Sequence, residues 1–541
     1  MTQRRKLVMG ALTGAALSIP LAALLYLGFQ AAALPMLAFD VFEGLTRIQA
    51  LGGLVTKAID LMVTLFSHVP GAATDQLAKG FEQLSAVALF VVIGAVIGAL
   101  FALYRERQGK SAPLNLGLVL IVLAFGLEFV ARPALGAISI GGIWLAVLIF
   151  GWAYTLAWLY DRLAIPPALE TSPVNVERRQ FLIQFGGALA ALTVVAWGAG
   201  SLLGRRETSV SGQPIAAGPT MTPQPGASSG AAATQGAAES GNAIGGNFAV
   251  VAGARPELTS NDQFYRVDVN LGAPEIDPRS WSLAVGGLVN KPLSISYDDL
   301  TKMPAVKQLA TLECISNPVG GDLISTTEWT GVRLYDVLKL AGLQDGVVEI
   351  KFTCADGYTE SLPMDAVMDE QTLLVYAMNG MALPDIHGFP LRIYTPNRYG
   401  MKNPKWVTTL EAIRDPYDGY WEVRGWDKQA IVKTTSVIDA VSSAKTPDGS
   451  VPVGGIAFAG KRGISKVEVA LDSGDWQQAE LKEPLSPLTW RLWRINTQAT
   501  KGPHSFRVRA TDGTGAVQTS QVADLHPDGA SGYNSIEADV S

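Results

Sequence analysis

Long apolar runs fill the first 206 residues of the chain, and charged residues interrupt them only at wide intervals. A transmembrane helix needs about 20 consecutive, mostly apolar residues. Four uncharged runs reach that length, and a fifth, at 111–127, is shorter and ends before Glu128 and Arg132. We therefore predict an α-helical membrane module over 1–206 with about five spans. The four long runs are Leu7–Phe39, Gln83–Tyr104, Pro133–Tyr160 and Gln180–Gly204.

One stretch of this region, Val41–Ser67, contains four charged residues, and we interpret it as an interfacial or re-entrant helix. Lys and Arg prefer short cytoplasmic loops. The basic clusters before the first span, after the second and after the fourth fall on one side only if Val41–Ser67 does not cross. We therefore predict a multi-pass protein of the cytoplasmic membrane, with the chain beyond Gly204 on the extracytoplasmic side. Arg205 and Arg206 oppose this orientation.

The pattern changes twice after the membrane module. Residues 207–254 are mostly Gly, Ala, Ser, Pro, Thr and Gln, which is typical of a flexible linker. Short strand-like and helix-like stretches then mix over 255–431, which predicts an α+β domain. From 432 to 541, short alternating segments such as Ile464–Leu471 and Ser505–Thr511 are separated by turns and predict an immunoglobulin-like β-sandwich.

Charge divides along the same boundary. The chain has 541 residues, of which 17% are charged and 48% hydrophobic, with a mean hydropathy of +0.23. Residues 1–206 contain 15 Lys and Arg against 10 Asp and Glu, which gives +5, whereas residues 207–541 contain 27 against 38, which gives −11. Nucleic-acid binding requires a basic surface, so an acidic water-facing part argues against it.

Histidine and cysteine are scarce. Only His68 of the four histidines lies in the first half, so no haem held by paired membrane histidines is predicted in this chain. A zinc site of the usual kind is also not expected. The two cysteines, Cys314 and Cys354, allow two interpretations. They form a disulfide, or Cys314 is a thiolate metal ligand and Cys354 a buried core residue.

The last apolar run opens with Arg178 and Arg179, followed by Gln-Phe-Leu. This pentapeptide resembles a twin-arginine export signal placed inside the chain. The alternative is two arginines that flank an ordinary helix. No convincing small-residue cleavage site follows, so we expect the segment to remain as a membrane anchor.

Several motifs occur in a fixed order between about 260 and 535. They are Cys314-Ile315-Ser316-Asn317, Tyr376-Ala377-Met378-Asn379-Gly380, His387-Gly388-Phe389-Pro390-Leu391-Arg392 and Lys405-Trp406. Together they resemble the sulfite oxidase family of molybdenum enzymes. Segments of the last domain, including Trp490–Trp493, are similar to the Ig-like domain of that family. The resemblance implies an oxidoreductase domain that binds a molybdenum–molybdopterin cofactor.

The resemblance also implies roles for individual residues. Cys314 corresponds to the molybdenum ligand, and a soft thiolate suits that metal. Tyr376 and Arg266 correspond to residues of the substrate pocket. The predicted cofactor-binding residues are Asp356, His387, Arg392, Asn403 and Lys405.

This chain departs from the family pattern in its pocket. Pro318 and Val319 follow Asn317 where the sulfite-binding members have two arginines. His526 stands where those members have a further arginine, so it is a candidate pocket residue. Sulfite needs several positive charges, and molybdenum chemistry is therefore a firmer expectation than sulfite as substrate.

The predicted function is that of a membrane-anchored oxidoreductase. It transfers an oxygen atom to or from a small sulfur oxyanion or an S- or N-oxide. Because the chain lacks a haem module like that of some family members, electrons pass to a separate cytochrome or quinone-linked carrier. The Ig-like domains of the family often form dimers, so a homodimer is one expected assembly. The alternative is a non-enzymatic membrane receptor or adhesion protein on a retained sulfite oxidase fold.

Overall fold

The computed structural model describes residues 2–32, 34–46, 61, 73–108, 111–131, 140–164, 174–203, 210–215 and 248–540. Most of the predicted interfacial helix Val41–Ser67, the histidine His68 and most of the linker lie outside these ranges. The described chain divides into a helical unit and a β-rich unit. The helical unit comprises 1–51, 79–206 and 269–272, and the β-rich unit comprises the remainder.

Six α-helices make up most of the described part of the helical unit. They are α1 (Gln3–Ala32), α2 (Leu37–Thr46), α3 (Thr74–Gln108), α4 (Ala112–Ala131), α5 (Ile140–Ala164) and α6 (Val174–Leu203). Four of them, α1, α3, α5 and α6, are long and apolar enough to cross a membrane, and a shorter apolar helix spans Ala112–Leu127. Each of these five segments overlaps one of the five predicted runs. The run Leu7–Phe39 also contains the end of α1 at Ala32 and the start of α2 at Leu37. Arg178 and Arg179 lie in the early turns of α6.

Small residues allow two of these helices to approach closely. A Cβ atom on Gly14 of α1 would lie 2.1 Å from the carbonyl oxygen of Gly94 on α3, and one on Gly10 would lie 2.3 Å from that of Gly98. Glycine is required at such crossings because any side chain would separate the backbones. The residues Val269–Gly272 also belong to this unit, where Leu271 is buried and its backbone nitrogen donates to Glu43 Oε1 at 2.7 Å.

Two sheets and short helices form the first part of the β-rich unit, as the α+β prediction expected. One sheet has the order β2-β1-β10-β5-β6, with β1 and β10 parallel and the other neighbours antiparallel. The other has the order β3-β4-β7-β8, and β9 pairs with β7. The strands are β1 (Ser282–Gly287), β2 (Leu293–Ser296), β3 (Val306–Glu313), β4 (Ile324–Arg333), β5 (Glu349–Cys354), β6 (Thr359–Pro363), β7 (Leu373–Met378), β8 (Met381–Ala382), β9 (Arg392–Tyr394) and β10 (Val407–Ile413). The helices are α7 (Tyr297–Lys302), α8 (Leu334–Ala341) and α9 (Met364–Val367).

Part of the predicted linker lies along the edge of this second sheet. Gly212 donates its backbone N–H to the Ala382 carbonyl at 3.2 Å, and the Ala382 N–H donates to the Gln213 carbonyl at 2.8 Å. The Ser211 hydroxyl donates to the Leu383 carbonyl at 3.2 Å and is fully buried. Residues 210–215 therefore cover the free edge of β8, which would otherwise expose unpaired backbone groups.

The C-terminal part contains two four-stranded antiparallel sheets, ordered β11-β12-β16-β15 and β14-β13-β17-β18. Val453 and Trp493 from the first sheet and Val467, Phe506 and Val508 from the second belong to one buried cluster. The two sheets therefore pack face to face. The strands are β11 (Thr435–Val441), β12 (Val451–Phe458), β13 (Ile464–Leu471), β14 (Gln477–Gln478), β15 (Glu480–Leu481), β16 (Arg491–Thr497), β17 (Gly502–Asp512) and β18 (Asn534–Val540).

Candidate active site

Cys314 follows directly after β3, in a turn fixed by backbone hydrogen bonds. Its N–H donates to the Leu323 carbonyl at 2.9 Å, and the Asn317 N–H donates to the Cys314 carbonyl at 3.0 Å. The sulfur lies 3.0 Å from Ser316 Oγ and is buried. Burial raises the pKa of the thiol, and the Ser316 contacts oppose that shift. Both Cys314 and Cys354 are free thiols, so the disulfide interpretation is wrong and Cys314 remains able to bind a metal.

The predicted cofactor residues His387, Arg392 and Lys405 meet around Gly388. Gly388 has φ +107°, and a Cβ atom there would lie 3.0 Å from Lys405 Cβ and 3.2 Å from Arg392 Cβ. The positive φ and the close contacts both require glycine at this position. His387 ends a short 3-10 helix, Asp385–His387, directly before Gly388. The local backbone therefore brings a histidine, an arginine and a lysine together.

Three cations and one carboxylate form a buried cluster here, which we call the cation cluster: Arg266, Arg392, Lys405 and Asp268. Arg266 Nε donates to Asp268 Oδ2 at 2.7 Å, and Lys405 Nζ donates to the same oxygen at 3.1 Å. The Arg392 guanidinium donates to the His387 carbonyl at 3.2 Å and lies over the Trp329 ring at 4.9 Å. The cluster thus holds more positive than negative charge in a mostly buried site.

Burial weakens the charged state of two of these cations, Lys405 and Arg392. It lowers the pKa of Lys405 to about 8 and that of Arg392 to about 10. Arg392 Nε and Arg266 Nη2 are buried and have no hydrogen-bond partner among the described residues. Buried donors are normally paired. Acceptor oxygens of anionic ligands would satisfy both donors and the excess charge. Arg392 and Lys405 therefore fit a phosphate-bearing pterin cofactor, and Arg266 fits an oxygen-bearing substrate.

His387 is held as a neutral ring. Its Nε2 lies 2.9 Å from the Asn261 carbonyl oxygen, and its ring packs edge-on against Phe264 at a centroid distance of 5.4 Å. Burial, with Lys405 and Arg392 nearby, lowers the pKa of His387 to about 3. Because a carbonyl oxygen only accepts, Nε2 carries the proton, and Nδ1 of the neutral ring is an acceptor.

Sequence reasoning missed Tyr265, which lies beside Cys314, the predicted metal ligand. A Cβ atom on Gly400 would lie 3.0 Å from the Tyr265 hydroxyl and 3.8 Å from Cys314 Cα. Tyr265 is buried, and its pKa is raised well above the ordinary value by burial and by the charge of Cys314. The only available signal was its position directly before Arg266. Tyr265 is therefore a second candidate tyrosine, besides Tyr376, for the predicted substrate pocket.

The remaining predicted residues have their own contacts. Tyr376 is fully buried on β7 and acts electrostatically on Tyr297. The Asp356 carboxylate accepts from the Tyr358 N–H at 3.0 Å. His526 is exposed, and its ring meets Trp426 edge-on at 5.2 Å.

Asn403 uses its amide on the backbone. It accepts from the Thr395 N–H at 2.6 Å and donates to the Tyr399 carbonyl at 2.9 Å. The side chain therefore stabilises the loop that leads to Lys405, and direct contact with a cofactor stays a prediction.

Comparison with known proteins identifies the class of domain that contains these residues. A family model described as an oxidoreductase molybdopterin binding domain matches residues 270–421. The chain is 32% identical over 150 residues to the uncharacterized oxidoreductase YuiH of Bacillus subtilis, which is 28% of this chain and 74% of that protein. It is also 30% identical over 319 residues to mitochondrial sulfite oxidase of Mus musculus, covering 50% of this chain.

A further relative is the putative protein-methionine-sulfoxide reductase subunit YedZ1 of Azospira oryzae, with 33% identity over 153 residues, 28% of this chain and 56% of that protein. The chain belongs to the sulfite oxidase family, whose members carry an oxidoreductase molybdopterin-binding domain. It spans little more than half of the mouse sulfite oxidase, 58% of its length.

Proposed function

We propose that this chain is a membrane-anchored molybdenum-cofactor oxidoreductase that transfers an oxygen atom to or from a small sulfur oxyanion or an S- or N-oxide. The observation that carries the proposal is the cation cluster, whose buried donors lack a partner within the described part of the chain, in the same unit as the free, buried thiol of Cys314. The cations of this set are suited to bind an anionic ligand, and the thiol is suited to bind a soft metal.

In this proposal each residue has one task. Cys314 binds the metal as a thiolate, since a thiolate and not a thiol is the ligand form. Arg392 and Lys405 hold the anionic cofactor, and His387 holds it with a hydrogen bond. Asp356 and Asn403 complete the proposed cofactor contacts. When bound, the cofactor supplies a metal that exchanges two electrons and an oxygen atom with substrate.

The substrate pocket is proposed to include Arg266, Tyr376 and His526, with Tyr265 added by its position beside Cys314. Arg266 donates hydrogen bonds to the oxygen atoms of the substrate. His526 replaces an arginine of the sulfite-binding members, and Pro318 and Val319 replace two more. Fewer fixed positive charges favour a neutral S-oxide relative to a sulfite dianion. Both substrate classes stay within the proposal.

The membrane part of the proposal rests on the four long apolar helices and the shorter Ala112–Leu127. We infer about five spans in the cytoplasmic membrane, with the catalytic domain outside and Arg178-Arg179 read as a twin-arginine signal. The C-terminal sheets are proposed to be Ig-like and to support a homodimer. Electrons pass to a separate cytochrome or quinone-linked carrier, which the net charge of −11 for residues 207–541 would attract if it is basic.

Metal and pterin analysis of the purified full chain tests the core of the proposal. We expect about one molybdenum per chain, and we expect Cys314→Ser to lose activity and to release the metal. Cys354→Ser is the matched control and should keep both. Metal-free protein from a molybdenum-replete host, or a fully active Cys314→Ser variant, would overturn the proposal. Assays with sulfite, sulfoxides and N-oxides and artificial electron carriers would then identify the substrate.

Two outcomes concern the alternatives. Stoichiometric molybdenum without a redox response to any of these compounds would favour a non-enzymatic receptor on the same fold. Protease added to intact spheroplasts should release a fragment of about residues 255–541 if the catalytic domain is outside. Protection of that region in intact spheroplasts, with cleavage after lysis, would reverse the orientation.

A further inference from the structure

Asn379 lies in the two-residue turn between β7 and β8 and makes hydrogen bonds with two other segments. Asn379 and Gly380 both have positive φ, +49° and +75°, as a tight hairpin turn requires. The Asn379 amide oxygen accepts from the Glu328 N–H at 3.1 Å. Its amide nitrogen donates to the Thr259 carbonyl at 2.9 Å and to Asn261 Oδ1 at 2.8 Å.

These bonds fix the loop that carries the Asn261 carbonyl. Asn261 Nδ2 returns a bond to the Met378 carbonyl at 3.3 Å, and the Thr259 N–H donates to the Thr326 carbonyl at 2.7 Å. The loop is therefore attached to both β7 and β4. The Asn261 carbonyl, held in this way, is the partner of His387 Nε2 at 2.9 Å.

We propose that Asn379 is a positioning residue that, through the Asn261 carbonyl, holds His387 as the neutral Nε2–H tautomer with Nδ1 as an acceptor. The functional consequence rests on the proposed function. Nδ1 of His387 then accepts from an N–H group of the pterin, and Arg392 and Lys405 bind the phosphate. In histidines generally, the hydrogen bond made by one ring nitrogen determines which of the two nitrogens carries the proton. A histidine that faced a phosphate would instead need a proton on the nitrogen that contacts it.

Ring nitrogen-15 labelling of histidine in the full chain, prepared without cofactor, tests the tautomer directly. The chain has four histidines, so His68→Gln, His504→Gln and His526→Gln variants assign the His387 signals by elimination. We expect His387 to show the Nε2–H pattern and no titration between about pH 5 and 8. The charged groups that face it are Lys405, Arg392 and Arg266. His504, paired with Asp472 at 2.9 Å, should titrate in the same sample and serves as the internal reference.

Asn379→Gly keeps the left-handed turn and removes the amide. We expect a mixture of His387 tautomers and a loss of about tenfold in molybdenum content, the usual scale for removing a partner that orients a ligand residue. Asn261→Ala keeps the carbonyl but loses both side-chain bonds, and it should give a smaller shift in the same direction. Asn397→Gly is the matched control, because Asn397 is another positive-φ asparagine, at +63°, that bonds Lys461 and Arg462 instead.

The results separate this inference from the proposed function. A wild-type His387 that shows the Nδ1–H tautomer or a charged ring at neutral pH would overturn the inference, as would an Asn379→Gly variant identical to wild type in both signals and metal content. If wild-type protein contains no molybdenum but His387 shows the Nε2–H tautomer and Asn379→Gly disturbs it, the proposed function fails and the positioning role stands.

Discussion

Two clusters of buried charged residues in the β-rich unit differ in whether their hydrogen-bonding groups are satisfied within the protein. The cation cluster has three cations for one carboxylate, and Arg266 and Arg392 each keep a donor that no described residue accepts from. The other, which we call the Lys402 cluster, consists of Lys402, Glu360 and Glu422, one lysine for two carboxylates. Lys402 Nζ donates to Glu360 Oε1 at 2.7 Å and also to Glu422 Oε1 and the Ser361 carbonyl.

The Lys402 cluster leaves little for a ligand to bind. The Tyr358 hydroxyl donates to Glu360 Oε2 at 3.2 Å, and the Gly419 N–H donates to Glu422 Oε2. The side chains of Lys402 and Glu360 are 0% exposed. Burial raises the pKa of the Glu360 carboxyl, with the Glu422 charge adding to the shift and Lys402 opposing it. A closed cluster of this kind joins segments of the fold, whereas an incomplete one with excess charge indicates a ligand site.

Removing the central lysine should have the largest effect. Lys402→Met leaves two buried carboxylates without a cation, and breaking a buried ion pair costs about 3–5 kcal/mol. We expect the free energy of unfolding of the β-rich unit to fall by that amount, measured by denaturant titration in detergent. Lys461→Met is the control, because Lys461 is a more exposed lysine paired with Asp369. Unchanged stability of Lys402→Met would mean that the two clusters do not differ in the proposed way.

The matching change in the cation cluster should separate stability from binding. Lys405→Met removes a desolvated cation with a lowered pKa, so we expect the cofactor-free protein to unfold at the same or a higher denaturant concentration. Molybdenum and pterin content should fall about tenfold or more, because a charged bond to an anion is lost. Loss of stability comparable to that of Lys402→Met, with cofactor content retained, would contradict the assignment of the cation cluster as a ligand site.

The sequence predicted elements whose cause is local. The segment Ile464–Leu471 coincides with β13, and Val467, Val469 and Leu471, at every second position, pack into the core of the sandwich. Another local cause is Gly342, which ends α8 in the left-handed conformation at φ +69°, as glycine commonly does at the end of a helix. The ordered motifs indicated Cys314, His387, Arg392 and Lys405 as site residues, and their roles stay predictions.

Contacts between distant residues were not predictable in this way. Lys402 meets Glu360 and Glu422 across 42 and 20 residues, and Asn379 reaches Asn261 across 118. No periodicity or composition encodes such pairs. Tyr265 beside Cys314 depends on how the segment after the linker folds back, and residues 210–215 pair with β8 although their composition is that of a linker. The local sequence pattern thus indicated the helices and strands, whereas tertiary packing determines which charged residues contact each other.

The lowered pKa of Lys405 predicts that the affinity of the cation cluster for an anion depends on pH. The lysine is charged below its pKa of about 8 and neutral above it, so the affinity of the cofactor-free protein for an inorganic anion should fall as the pH rises through about 8. Phosphate binding followed by calorimetry from about pH 6 to 10 measures this. Lys405→Arg should shift the loss to higher pH, because arginine keeps its charge. An affinity independent of pH in the wild type would remove Lys405 from the anion site.

The smallest effect is expected from neutralising one carboxylate of the Lys402 cluster. Glu422→Gln leaves one lysine with one carboxylate, and the glutamine oxygen can still accept from Gly419 or Lys402. The lost attraction to Lys402 is offset by relief of the repulsion between Glu360 and Glu422, so the free energy of unfolding should change by less than about 1 kcal/mol. Glu422→Leu, which also removes the acceptors, should cost clearly more in the same denaturant titration. If Glu422→Gln destabilised the protein as much as Lys402→Met, both carboxylate charges would be needed for stability. The cluster would then be stabilised by the charges of all three residues and not mainly by hydrogen bonds to Lys402.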